Sequence, residues 1–419
     1  MNNKPMQTWT PMRLWIGLQV FLFPFLSLIT PSGIGFSSVL FVLTLLFVPR
    51  QAWTALAPHW KAKAATTQRT AFAFQLALAA VFVLLRPEAD MSRLDNPSRM
   101  LMGLSAAMLV LLARPPRAVL WWGVLGGAVA ALPFVLWQRI GLHMDRPGGW
   151  LNPITFGDLA MCLALVALAA AVDYRHSTRK ALPAALGVAA GLAASLATGS
   201  RGGLVALPLA GLLFLSYAQL LHSKRVRLLL TGSFALIGAA FFVPSTGMQE
   251  RAELGVAEVR TWMDGGSAFS SLGIRLELWK GATMLIAERP FTGLDPVAMR
   301  MELRRHVEAG DLDPAILLVE HLHNDALQAL ATGGIWGLLA WAGILLAPFM
   351  FFARELGGGI HKGMPQFAPA LAGMLVVLSY FSFGLTEVIF WSLKGCMFYA
   401  LMIFLLMGFC LIAKEKREN

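Results

Sequence analysis

The chain reads as an all-α integral membrane protein with about twelve transmembrane helices, an inference that rests on composition, run length and charge placement. Of its 419 residues, 57% are hydrophobic and only 14% charged, and the mean hydropathy is +0.65. That is too little polar surface to cover a soluble globule of this length. Apolar runs long enough to cross the hydrocarbon of a bilayer recur from one end of the chain to the other. Basic residues cluster on every second connection between them. The formal net charge of +11 would by itself suggest nucleic acid, but the Lys and Arg form no continuous stripe, so the charge reports topology instead.

The runs lie at residues 14–29, 33–48, 70–86, 100–114, 118–138, 155–173, 181–198, 203–222, 227–244, 326–353, 367–390 and 394–413. Each must be helical, because an unpaired backbone N–H or C=O is not tolerated in lipid. Lys4 and Arg13 precede the first run, but no small-residue cleavage pattern follows it, so it reads as a first span. The Gly-rich stretch 186–194 suits close helix packing. One side of the membrane collects Lys4 and Arg13, then Arg50, Lys61, Lys63 and Arg69, then Arg114 and Arg117. The same side continues with Arg175, Arg179 and Lys180, with Lys224, Arg225 and Arg227, with Arg354 and Lys362, and with Lys414, Lys416 and Arg417. By the positive-inside rule this side is cytoplasmic and holds both termini. The opposite side mixes signs, as in Glu88, Asp90, Arg93, Asp95 and Arg99.

Nine helices are thus expected over 1–243, a large outward loop over 244–325, and three more helices over 326–419. Within the loop, Met248 to Met263 and Pro296 to Ala309 have helical apolar spacing, punctuated by Gly265-Gly266-Ser267 and Gly310. They predict a small helical cap on the bundle. Trp121, Trp122, Trp137 and Trp391 read as interfacial anchors. Cys162, Cys396 and Cys410 lie in apolar runs without CxxC or Cys/His spacing, which predicts small core residues and no zinc site.

The chemistry is concentrated at His321-Leu322-His323-Asn324-Asp325, where the polar loop meets an apolar run. A His at a membrane-water boundary can take a proton from a hydroxyl near neutral pH, where Lys or Arg could not; the alternative is that it only caps a helix or snorkels to water. Arg201 sits in a tight turn, Ser200-Arg201-Gly202-Gly203, at the edge of hydrocarbon, where an unpaired charge is costly and the glycines leave room for a ligand. Arg275 falls in a predicted helix that also carries Trp279 and Lys280. Arginines suit phosphate because the planar guanidinium donates two parallel hydrogen bonds and keeps its charge. Arg139 and Arg146 read as solvated. Glu387, near the outward end of an apolar run, needs a cationic or His partner: it either orients the His or pairs with an Arg. Asp311-Leu312-Asp313 has the spacing of a metal-bridging pair, a weak signal by itself, and no metal is expected. The ionisable groups gather at the outer boundary and not at the bilayer midplane, which favours an enzyme over a transporter or flippase.

Taken in order, Ser200-Arg201-Gly202-Gly203, Arg275 with Trp279, Arg289-Pro290-Phe291-Thr292-Gly293 and His323-Asn324-Asp325-Ala326-Leu327 resemble the O-antigen ligase and O-antigen polymerase superfamily of bacterial inner-membrane glycosyltransferases. Length, run count and the place of the large loop match as well, and within the superfamily the chain looks most like the ligases. It departs from the pattern where Gly293 is followed by Leu294-Asp295, so no role is carried to that turn. The resemblance implies transfer of a glycan from undecaprenyl pyrophosphate to a sugar hydroxyl of lipid A-core at the periplasmic face, on a GT-C-like scaffold, without nucleotide sugar, metal or nucleic acid. It also implies His323 as general base in an inverting attack, Arg201 and Arg275 on the pyrophosphate, and Glu387, Lys280 and Asn324 as supporting groups. His321 is expected on a different helical face from His323. An O-antigen polymerase or a protein O-oligosaccharyltransferase would share the donor chemistry and differ only in the acceptor.

Overall fold

The computed structural model describes residues 10–49, 52–54, 56, 63–86, 90–217, 221–242, 248–359 and 366–418. Among them every regular element is helical. The helices are α1 (Thr10–Leu26), α2 (Gly33–Leu46), α3 (Lys63–Leu85), α4 (Asp95–Ala113), α5 (Arg117–Leu136), α6 (Pro153–Asp173), α7 (Thr178–Ala197), α8 (Ala206–Ser216) and α9 (Lys224–Phe242). Three shorter-reach helices follow, α10 (Met248–Met263), α11 (Ser271–Glu288) and α12 (Pro296–Glu308), and then α13 (Asp325–Gly359), α14 (Phe367–Phe383) and α15 (Leu393–Glu418). Eight are long and apolar enough to cross a membrane, and α1, α2, α8 and α14 are shorter apolar helices.

Two helices form the core of the bundle. α6 is buried along almost its whole length, and α15 is buried from Cys396 to Ala413. Around them the outer helices turn Leu14, Leu18, Leu46, Leu84 and Leu228 outward, as a lipid-facing shell would. Close approach is made by small residues: a Cβ on Gly191 of α7 would stand 2.9 Å from the Ala164 Cβ and 3.0 Å from the Ala160 carbonyl of α6. The three cysteines are buried and free.

The two ends of the bundle differ in charge. At one end Arg117 makes a bidentate pair with Asp173 (2.7 and 2.8 Å), Arg114 pairs with Glu415 (2.6 Å), and Arg225 donates to the Arg175 carbonyl (2.7 Å). Trp121 belongs to this end as well. It is fully buried and donates its indole N–H to Asp173 at 2.9 Å, so it is a structural member of the ion pair and not an interfacial anchor. α15 runs from this end to the other, where α10 to α12 pack.

Three expected spans are altered. The run at 203–222 contains only the eleven residues of α8, after a 3₁₀ turn over Gly202–Val205. The run at 367–390 stops being helical after Phe383, and Ile389–Trp391 form a 3₁₀ turn, so Glu387 stands in a connection and not in a span. The run at 326–353 is broken at Gly334 (φ 59°, ψ −157°), so that α13 consists of two segments meeting at a corner. The corner is locked from outside. The Ile335 N–H donates to the Pro290 carbonyl and the Leu294 N–H to the Ala331 carbonyl, both at 2.9 Å. The Arg86 guanidinium, stacked 4.0 Å over Phe82, donates to the carbonyls of Thr332 (3.1 Å) and Thr292. The Arg289-Pro290-Phe291-Thr292-Gly293 motif is therefore the bracket that holds the break, and Gly293 (φ 62°) is needed because its Cα lies on the backbone of Gly333 and Gly334.

Gly334→Ala is expected to lower both the yield of folded protein and its melting midpoint in detergent. A Cβ at that φ costs roughly 1–2 kcal/mol, and here it would also overlap the Phe291 carbonyl. A thermal melt identical to wild type would show that the corner does not depend on the glycine.

Candidate active site

The site is built where the connection 384–392 meets the loop that leads into α13. Residues 319–323 carry no helix, and this bent loop brings the His321 and His323 rings together while Leu322 turns into the cap. This corrects the expectation that the two histidines occupy different helical faces. Their rings meet edge to face at 4.5 Å, and one carboxylate serves both: Glu387 Oε1 lies 3.2 Å from His321 Nε2, and Oε2 lies 3.1 Å from His323 Nδ1. Leu322 is fully buried in a small core with Leu278, Leu285, Met299, Leu303 and Ile316 of the cap. Its N–H donates to Gln328 Oε1 and its carbonyl accepts from Trp279 Nε1, both at 2.9 Å. The pinned leucine thereby fixes the position of both rings.

His323 adopts a left-handed backbone (φ 49°), uncommon outside glycine and a form of local strain often found at functional positions. The surrounding bonds maintain it. Asn324 accepts from the Leu327 N–H (3.0 Å), capping α13, and donates to the Leu385 carbonyl (3.3 Å). The Asp325 N–H donates to the Gly384 carbonyl (2.8 Å). Asn324 thus joins the two loops and has no share in the His–Glu contact.

The electrostatics follow from the geometry. Glu387 is only 7% exposed, and burial alone would raise its carboxyl. The hydrogen bond from His323 and the charges of both histidines outweigh burial, and the group titrates below its ordinary value. His321 is lowered, first by burial and then by His323, while Glu387 pulls the other way. Arg275, on α11, is half-buried; burial lowers it, Glu387 opposes this and Arg146 adds to it, placing Arg275 among the charged neighbours of the cluster. It makes no hydrogen bond to any described residue. Arg201 lies in a turn that packs on the same loop: Gly202 abuts the Thr386 hydroxyl, and Gly203 lies over Phe383 and Asp158. The Arg201 turn thus packs on the loop that carries Glu387, and Arg275 lies within electrostatic reach of that carboxylate.

Two other basic residues differ from each other. Arg139, expected to be solvated, is half-buried in the π-helical turn Trp137–Gly141 and donates to the Ala197 carbonyl at 2.8 Å, in the last turn of α7 just before Arg201. Arg146 is exposed, as expected. Lys280 does not reach the cluster: it pairs with Glu277 (3.1 Å) and donates to the Asp311 carbonyl (2.8 Å), inside the cap. Asp311 and Asp313 do not converge either. Asp311 contacts His306 Nδ1 at 2.9 Å, and Asp313 accepts from the N–H groups of Ala315 (2.8 Å) and Ala268 (3.0 Å). Among the described residues, the group able to hold a metal ion is His321, His323 and Glu387, whose ligand atoms all lie within 4.8 Å of one another. Trp391 is 43% exposed and stands beside His321, 6.4 Å between rings, so it faces the site as well as any interface.

One residue escaped the sequence reading. Asp158, in the second turn of α6, is 1% exposed, and neither of its carboxylate oxygens has a hydrogen-bond partner among the described residues. It lies within electrostatic reach of Glu387 and Asp325. The signal was the same as for Glu387, a single acid inside an apolar run.

Fold and site together define a multi-pass membrane protein with a His–Glu cluster and flanking arginines gathered at one end of its bundle. Residues 186–342 match the family described as O-antigen ligase. The matched stretch contains Arg201, Arg275 and His323 and ends before Glu387. A Haemophilus influenzae protein described only as uncharacterized is 21% identical over 346 residues, covering 81% of this chain and 85% of the relative.

Both shifted groups make acid destabilising, in successive ranges. His321 binds its proton less readily folded than unfolded, so stability is full above its unfolded value of 6.5 and falls as the pH drops below it. Glu387 contributes stability above its unfolded value of 4.5 that is lost as the pH falls through its lower folded value. In melts from pH 8 to pH 4, His321→Gln is expected to flatten the decline that begins near pH 6.5; parallel curves for the variant and wild type would refute this.

Proposed function

We propose that this protein is a glycosyltransferase that ligates O-antigen from undecaprenyl pyrophosphate onto lipid A-core, by a metal-independent, inverting mechanism with His323 as general base. The observation that carries the reading is the hydrogen bond that His323 Nδ1 donates to Glu387, which leaves Nε2 as the ring nitrogen available to a substrate. The acceptor hydroxyl gives its proton to Nε2 as its oxygen attacks the anomeric carbon. The bond from that carbon to the pyrophosphate oxygen breaks, and its electron pair leaves with the pyrophosphate. Glu387 stabilises the imidazolium that forms, as an orienting carboxylate does in other His-based sites. Arg201 and Arg275 would bind the leaving pyrophosphate, so no general acid is needed.

The charge asymmetry supports the orientation. The end carrying Arg114, Arg117, Arg175 and Arg225 would be the cytoplasmic one by the positive-inside rule, which supports a periplasmic His–Glu cluster. Lipid-linked donor and acceptor would then enter laterally from the bilayer. His321 shares Glu387 with the base and serves as a positioning residue.

In vesicles containing the purified protein, undecaprenyl-linked glycan and lipid A-core, His323→Ala is expected to reduce transfer by roughly 10²–10⁴-fold, the range of a lost general base. Arg201→Lys and Arg275→Lys keep the charge but lose the fork, and are expected to cost about 10²-fold each. His321→Ala is expected to slow transfer less than His323→Ala. Normal transfer by a folded His323→Ala protein would end this assignment. Excess chelator is expected to leave turnover undiminished, and its inhibition would instead implicate a metal on His321, His323 and Glu387. A deletion strain separates the related activities: the ligase reading expects loss of all O-antigen from lipopolysaccharide, a polymerase leaves single units on the core, and a protein transferase leaves lipopolysaccharide intact.

A further inference from the structure

A cavity of about 590 Å³ opens beside the loop that carries Glu387, between α3, the start of α12, the two segments of α13 and the connection 388–393. Its volume is within the range of small-ligand sites. It shares its wall with the His–Glu cluster: Glu320 precedes His321, Val388 follows Glu387, and the Trp391 ring lies against that of His321.

The lining is acidic. Asp90, Asp95, Asp295, Glu320 and Asp325 face Arg93 and Arg300, and both cations are matched, Arg93 with Asp295 at 3.3 Å and Arg300 with Glu320 at 3.7 Å. A pyrophosphate would be repelled here, whereas Arg201 and Arg275, which do not line the cavity, would attract it. Deeper in the wall, the buried Asp325 carboxyl and the Trp341 indole N–H interact with each other without meeting full hydrogen-bond geometry. A carboxylate acceptor beside an indole donor suits a hydroxyl, which donates to one and accepts from the other. Two indoles, Trp341 and Trp391, add apolar faces of the kind that pack on the C–H face of a sugar ring.

We infer that this cavity is the acceptor subsite and that it binds an uncharged sugar, held by carboxylates and tryptophans and presented to His323 across the shared wall. The inference rests on the functional reading above and deepens it, since it gives the acceptor a pocket whose lining does not include Arg201 or Arg275. It also sets a selectivity: an acceptor whose terminal sugar carries phosphate would meet five carboxylates and be rejected.

The test uses full-length protein in detergent and, as probe, a delipidated core oligosaccharide ending in a neutral hexose. Equilibrium binding is measured for wild type, His323→Ala, Trp391→Leu and the conservative Trp341→Phe, which keeps an aromatic ring and removes the N–H. Binding is expected to survive in His323→Ala and to weaken about tenfold in each Trp variant, as the loss of one stacking or hydrogen-bonding contact would cause. In the transfer assay the Trp variants are expected to raise the acceptor KM and leave the donor KM unchanged. A wild-type protein that does not bind the oligosaccharide, Trp variants that bind as wild type does, or a rise confined to the donor KM would each overturn the inference. Binding that depends on the tryptophans in a protein that transfers nothing would leave the sugar site standing and reject the ligase reading.

Discussion

The arrangement depends on one shared carboxylate. Glu387 stands out of bulk water with a histidine on each oxygen, and in that surrounding an unpaired carboxylate would be costly. The two loops therefore need each other. The 384–388 connection offers Glu387, the Leu385 and Gly384 carbonyls and the Thr386 hydroxyl, and these meet His321 and His323, Asn324, Asp325 and the Arg201 turn respectively. A segment that a hydropathy pattern assigns to the end of a span is instead the junction of the site.

The cap is more than a cover. Its small apolar core closes around Leu322, the residue between the two histidines, and Trp279 of the same core holds the Leu322 carbonyl. Packing outside the bundle thus sets ring positions inside the site. Rigid support of this kind is what proton transfer needs, since a general base works only within hydrogen-bond reach of its proton. Lys280, Asp311 and Asp313 belong to the scaffolding of the cap, where they bind each other's loops and helix ends.

The membrane class and the run count were legible because run length and composition are properties of short stretches, and lipid leaves helices as the available conformation. His323, Arg201 and Arg275 were also visible, each as a polar residue out of place in its surroundings. Pairing was not. That Glu387 bridges both histidines depends on a bent 321–323 segment and on a helix that stops at Phe383, and neither has a periodic signature. Arg139 read as solvated because its acceptor, the Ala197 carbonyl, is 58 residues away in sequence. Asp158 went unnoticed because a single acid in an apolar run looks the same whether it is a site member or a stray charge.

The break in α13 bears on how the chain is put together during synthesis. Its bracket joins Arg86 to Thr332 across 246 residues, and Asn96 reaches the Phe390 carbonyl across 294. A chain released into the bilayer span by span therefore carries its base and its arginines long before Glu387 and the α14–α15 connection emerge to orient them. Contacts of such long range form late in folding. Until that carboxylate arrives, a half-inserted chain holds His321, His323, Arg201 and Arg275 without the group that joins the two histidines.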